Sequence, residues 1–159
     1  MAAEQAAPLA KDRDIRVLPT KTIPQGISAM LMFDETASAD ENQMNMLSAA
    51  ENVETAQVTF AARDSEVDGK PIKQGEIMGL CNGKIKYIGD DITDIAVKSA
   101  HKLFKKGEHS LITIIYGEGA SEDDAEAVEK ALYEKYGNDV EISIVNGGQP
   151  IYYFIISVE

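Results

Sequence analysis

LITIIYGEGASEDDAEAVEKALYEKYGNDVEISIVNGGQPIYYFIISVE, residues 111–159, decides the fold. LITIIY (111–116) is a continuous apolar run, the pattern of a strand covered on both faces. Ser121 with Asp124 three residues on forms a capping-box variant, and Glu122 and Asp123 add carboxylates where a helix N-terminus favours them. Ala125, Val128, Leu132 and Tyr136 then keep one apolar stripe at helical spacing, and Gly137 ends the helix. VEISIV (140–145) comes next as a strand and IYYFIISV (151–158) as another, separated by Asn146-Gly147-Gly148. Strand–helix–strand at these lengths predicts a right-handed crossover and a mixed, partly parallel sheet with flanking helices, that is, an α/β fold in two or three layers.

Upstream the same alternation continues. Residues 92–105 predict a helix capped by Asp90 or Asp91, with Ile92, Ile95, Ala96, Leu103 and Phe104 apolar and Lys102, Lys105 and Lys106 at its negative end. Asn82-Gly83 joins two strand-like flanks, 76–81 and 84–88, and both residues tolerate the positive φ of a tight hairpin turn. Residues 53–63 read as a strand, with Val58 and Phe60 facing away from Gln57 and Thr59, and Asp68-Gly69 supplies a turn. A β-hairpin insertion is therefore expected around 53–88. Before it come a helix at 40–51 capped by Ser38 or Asp40, a helix at 24–33 whose Ile27, Met30 and Leu31 share a face, and a short strand at 15–20. Residues 2–10 resemble the end of a helix. Two subdomains are expected: an incomplete first α/β subdomain over 1–52 and a second over 53–159.

The 159 residues carry 27 acidic against 15 basic side chains, a net charge of −12, with 44% hydrophobic residues. This is the balance of a folded soluble domain. No apolar run reaches the roughly 20 residues of a membrane span, so no membrane insertion is expected. The acidic excess is uneven: residues 22–62 hold six carboxylates and no Lys or Arg, and 107–135 hold eight carboxylates against two lysines. Such a surface repels nucleic acid and favours basic partners. A single cysteine, Cys81, and an opening without a basic-then-apolar leader point to the cytoplasm.

The catalytic inventory is thin. There is no Walker-type phosphate loop. His101 sits mid-helix among lysines, His109 precedes a strand without a Ser–Asp arrangement, and Cys81 reads as a small buried hydrophobe. Gly117-Glu118-Gly119 lacks the third glycine of a dinucleotide loop, and the carboxylates after it would repel a pyrophosphate. Thr20, Lys21 and Thr22, ahead of Pro24-Gln25-Gly26, offer hydroxyls, a cation and a helix start that could hold an anion, or merely cap the helix. Asn146-Gly147-Gly148-Gln149-Pro150 either permits a tight turn or lets another backbone come close.

VLPTKTIPQG (17–26), QVTFAARDSEVDG (57–69), IKQGEIMGLCNGKI (72–85), YGEGASEDDAE (116–126) and NGGQPIYYFIISVE (146–159) together resemble the C-terminal domain of the bacterial fatty acid kinase family FakA, a dihydroxyacetone-kinase-like family also labelled YloV. The resemblance spans nearly the whole chain and implies a DegV-like fold. It further implies a three-part protein in which an ATP-binding kinase domain phosphorylates a fatty acid held by a separate DegV-type binding protein, the acyl phosphate feeding phospholipid synthesis. The C-terminal domain would dock that partner. Nothing here matches the kinase domain's Asp-rich, magnesium-binding loop, so ATP and magnesium belong to that absent domain, and this chain is expected to bind no cofactor or metal and to catalyse nothing alone.

Family members carry further sequence ahead of this start, including an earlier strand and a first GGQ-type turn, and Met1–Gln5 resembles the interior of a family helix. Residues 1–52 are accordingly expected to be incomplete, with exposed apolar faces that favour a homo-oligomer. The leading expectation is a docking module whose contact carboxylates are Asp34, Glu35, Glu122, Asp123 and Asp124. The alternative is a small-ligand or anion-binding DegV-like domain using Thr20, Lys21 and Thr22. An autonomous enzyme is the third reading, and no base–nucleophile–oxyanion set supports it.

Overall fold

The computed structural model describes residues 2–67 and 69–159; Met1 and Asp68, the latter part of the expected Asp68-Gly69 turn, lie outside the described residues. The chain divides into two compact units, 1–52 and 53–159.

The first unit is helical among its described residues. A short helix α1 (Ala2–Ala6) runs into a 3₁₀ turn, and α2 (Ile23–Leu31) and α3 (Ala39–Glu51) pack together. Thr22 caps α2 and Ser38 caps α3 in a reciprocal box with Glu41. Two expectations fail here. The run 15–20 makes no strand among the described residues, because a β-branched run without a neighbouring ladder has nowhere to send its N–H and C=O groups. And α2 turns inward not Ile27, Met30 and Leu31 but the smaller Pro24, Ser28 and Ala29; Met30 and Leu31 are 66% and 79% exposed. Small residues let α2 sit closely on α3 and leave the long side chains outside.

The second unit is built on a six-stranded sheet. Its strands are β1 (Glu54–Phe60), a two-stranded ribbon of β2 (Ser65–Val67) and β3 (Lys70–Ile72) outside the main sheet, then β4 (Ile77–Cys81) and β5 (Lys84–Gly89). After α4 (Ile92–Leu103) come β6 (Leu111–Tyr116), α5 (Glu122–Tyr136), β7 (Glu141–Asn146) and β8 (Tyr152–Val158). The order across the sheet is β5-β4-β1-β8-β6-β7. Only β6 and β7, the strands joined through α5, pair in parallel; every other neighbour is antiparallel. The fold is thus mixed α/β with a mostly antiparallel sheet.

One face of the sheet makes the core. Ala56, Val58, Ile112, Ile114, Phe154, Ile156 and Val158 pack with Ile95, Ala96, Ala100 and Leu103 of α4 and Ala125, Val128 and Leu132 of α5. The alternation expected for β1 breaks at a bulge between Val58 and Thr59, which re-aims the residues beyond it. Val58 is buried, but Thr59 is buried too and Phe60 is turned out, 39% exposed. At the β4–β5 hairpin Asn82 and Gly83 take φ of 50° and 76°, as the tight turn requires. Glycine is needed at 79 for another reason: a Cβ there would lie 2.7 Å from Ile95 Cγ2 and 2.5 Å from Ser99 Oγ, so α4 rests directly on the β4 backbone. No described helix is long and apolar enough to cross a membrane.

Candidate functional site

In the second unit the loops after the parallel strands β6 and β7 come together with the start of β8. The Gly117 N–H donates to the Tyr153 carbonyl at 3.0 Å, the Glu118 N–H to the Gln149 carbonyl at 3.1 Å, and the Gly147 N–H to the Tyr116 carbonyl at 2.9 Å. The Gln149 side-chain amide donates to the Ile115 carbonyl at 3.1 Å. A Cβ at Gly117 would sit 2.3 Å from both the Gln149 and Tyr152 carbonyl oxygens, and one at Gly119 would strike the Tyr153 ring at 2.7 Å. The backbone that Gly147 admits is the chain's own: a Cβ there would lie 2.4 Å from Ile115 Cγ2. These glycines close a junction within the fold.

That junction presents the start of α5. The Ser121 hydroxyl accepts from the Asp124 N–H at 3.2 Å, while the Asp124 carboxylate accepts from the Ser121 N–H at 2.8 Å and from its hydroxyl at 2.6 Å. The Ser121 hydroxyl, then its N–H, hold the Asp124 carboxyl below the usual carboxylate range. Asp124 is therefore committed to the cap. Glu118, Glu122 and Asp123 are exposed beside it. The amide that a pyrophosphate would use there is already capped, in keeping with the exclusion of a dinucleotide loop.

In the first unit, Asp34 and Glu35 lie in the turn between α2 and α3. The Asp34 carboxylate accepts from the Thr36 hydroxyl at 2.7 Å and the Thr36 N–H at 2.8 Å, and these bonds, the hydroxyl first, lower its pKa. The buried Asn42 side chain clamps the same turn, accepting from the Asp34 N–H at 2.8 Å and donating to the Asp34 carbonyl at 2.7 Å. Glu35 is exposed at the tip. Thr20, Lys21 and Thr22 serve the start of α2: Thr22 Oγ1 accepts from the Gln25 N–H at 3.4 Å, and the Lys21 N–H donates to Gln25 Oε1 at 2.9 Å. Thr20 lines a cavity of about 100 Å³ whose walls include Glu51, a carboxylate that disfavours an anion there.

Sequence reasoning passes over Arg16. Its guanidinium binds the Asp14 and Asp40 carboxylates and Gln43, at the mouth of a cleft of about 230 Å³ that Leu18, Phe33 and Met46 also line. Pairs of opposite charge 24 residues apart leave no local sequence signal. The remaining catalytic candidates have structural places. His101 Nδ1 is 2.8 Å from the Tyr136 hydroxyl, and burial pushes its pKa down. Burial pushes the Cys81 thiol up. Among the described residues no cluster of three His, Cys, Asp or Glu side chains could hold a metal ion.

The FakA-like C-terminal family model, which describes the C-terminal domain of fatty acid kinases of this type, matches residues 1–159. The chain belongs to this family. Protein YloV of Bacillus subtilis is 43% identical over all 159 residues, and the chain spans 28% of that relative's length. A DegV family protein of Corynebacterium glutamicum superposes with a TM-score of 0.66 at 17% identity, covering 99% of this chain and 68% of that one. A fatty acid binding DegV family protein of Streptococcus agalactiae gives 0.59 at 15% identity, covering 98% and 64%. At such identities the likeness is one of fold. The family's C-terminal domain is thus DegV-like, as the sequence resemblance implied.

Proposed function

We propose that this chain is the docking module of a fatty acid kinase, holding a DegV-type fatty-acid-binding protein so that a kinase domain can phosphorylate the bound lipid for phospholipid synthesis. The observation that carries this reading is the family match over residues 1–159. Charge supplies the means: the exposed Glu122 and Asp123, with Glu118 beside them, and the exposed Glu35 next to Asp34 would draw a basic face of the partner. Complementarity of this kind acts chiefly on association rate and register. In this reading ATP and magnesium are handled by the kinase domain, and this chain forms and breaks no bond.

Titration of the full 159-residue chain against each DegV-type protein encoded in the same genome, by calorimetry, tests the reading. Between about 0.05 and 0.5 M salt the Debye length falls roughly threefold, so the affinity should drop as salt rises. Absence of binding at low salt contradicts docking; equal affinity at both salts contradicts the electrostatic means. ATP consumption by the chain alone should be nil, and turnover would overturn the non-catalytic reading.

A further inference from the structure

Ile151 combines two features that oppose stability. Its φ is 74°, a region that β-branched residues almost never occupy, and its side chain is 65% exposed, so burial returns little. The strain is fixed by the backbone: the Tyr152 N–H donates to the Pro150 carbonyl at 2.8 Å, closing a three-residue γ-turn of the rare, strained hand about Ile151. The Thr59 hydroxyl pins the turn by donating to the Ile151 carbonyl at 2.8 Å. Glycine or asparagine would hold this conformation at less cost.

The surroundings are those of an interface centre. Phe60, next to Thr59, is turned outward by the bulge in β1 and packs edge-on against Tyr153, ring centroids 6.1 Å apart. The loop after β6 closes the other side, its Glu118 N–H bound to the Gln149 carbonyl, and leads into Glu122 and Asp123. Residues 117–129 carry six carboxylates and residues 136–159 three, with no Lys or Arg in either segment. An apolar centre with a charged rim is the usual anatomy of a protein–protein contact.

Building on the docking reading above, we infer that Ile151, seconded by Phe60, is the apolar anchor that enters an apolar pocket rimmed by Lys and Arg on the DegV-type partner, with Glu118, Glu122 and Asp123 facing those cations. The strained turn keeps the side chain projecting before the partner arrives, which spares the complex an ordering cost.

The test uses Ile151→Gly, Ile151→Asn and Ile151→Leu in the full chain, with partner affinity and Tm measured together. The Gly and Asn variants should bind about tenfold or more weakly while melting about 2–4 °C higher. Ile151→Leu should bind within about threefold of the parent, since it keeps an apolar side chain of similar volume. If the parent chain binds and the Gly and Asn variants bind equally well, the anchor is refuted and docking stands. Weaker binding with a lowered Tm reports a damaged turn and also refutes it. If the parent binds no DegV-type protein, the docking reading falls and the anchor with it.

Discussion

Gly117→Ala should unfold the second unit far more readily than its single methyl suggests. The new Cβ would stand 2.3 Å from the Gln149 and Tyr152 carbonyl oxygens, against 3.4–4 Å for ordinary contact, so each must retreat by about 1 Å. Both are backbone atoms and cannot swing aside. The Gln149 carbonyl is tied to the Glu118 N–H, and Gly117 itself to Tyr153, so retreat stretches the bonds that join β6 to β8. Two or three backbone bonds at about 1 kcal/mol each, with overpacking added, put the loss at about 2–4 kcal/mol. The φ of Gly117 is not positive, so the effect is steric rather than conformational. Urea denaturation followed by far-ultraviolet circular dichroism measures it, and calorimetry should show Tm lower by about 10 °C or more. A loss under about 0.5 kcal/mol, the ordinary level for surface substitutions, would refute the close approach.

Three further outcomes rest on particular side chains. Ser121→Ala removes the α5 cap and should cost about 1 kcal/mol at pH 7 by urea denaturation. Because the cap holds the folded Asp124 pKa below its unfolded value near 3.9, this contribution is complete above that pH and is lost as pH falls through the folded value, so parent and variant should converge below about pH 4. Ser99 Oγ is buried with no hydrogen-bond partner among the described residues, and Ser99→Ala should leave the urea midpoint unchanged or raise it by up to about 1 kcal/mol of stability. Cys81 is 4% exposed, its thiol donates to the Ser99 carbonyl at 3.7 Å and its pKa is raised by burial; maleimide labelling at pH 8 should run at least about a hundredfold slower in the folded chain than in urea.

The second unit is legible because local and global signals agree in it. Ser121, Asp124 and Gly137 bound α5 where the sequence places them, and the alternation of strand and helix fixes the one parallel pair, β6 with β7. Asn82-Gly83 likewise announces its hairpin. The first unit misleads because amphipathic spacing identifies a helix face but not which face meets a neighbour. Ile27, Met30 and Leu31 share a stripe, yet α2 buries Ser28 and Ala29 instead. Asp124 and Asp34 read as surface charges, and only the geometry shows their carboxylates committed to Ser121 and Thr36. Ile151 is invisible as a special position, since a positive φ on isoleucine has no sequence signature. The glycines of 146–150 stand out in the sequence, but their role in a contact between segments some thirty residues apart depends on the sheet order.

The central claim is that exposed carboxylates at the start of α5 steer a basic protein onto this chain. Stopped-flow or surface-based association of Glu122→Lys/Asp123→Lys with the DegV-type partner at low salt tests it most directly. Neither side chain belongs to the Ser121–Asp124 cap, so the double variant should keep the parent's circular dichroism spectrum. The account predicts an association rate about tenfold or more slower, with a weaker salt dependence than the parent's. A folded double variant that associates as fast as the parent, with the same salt slope, would contradict it.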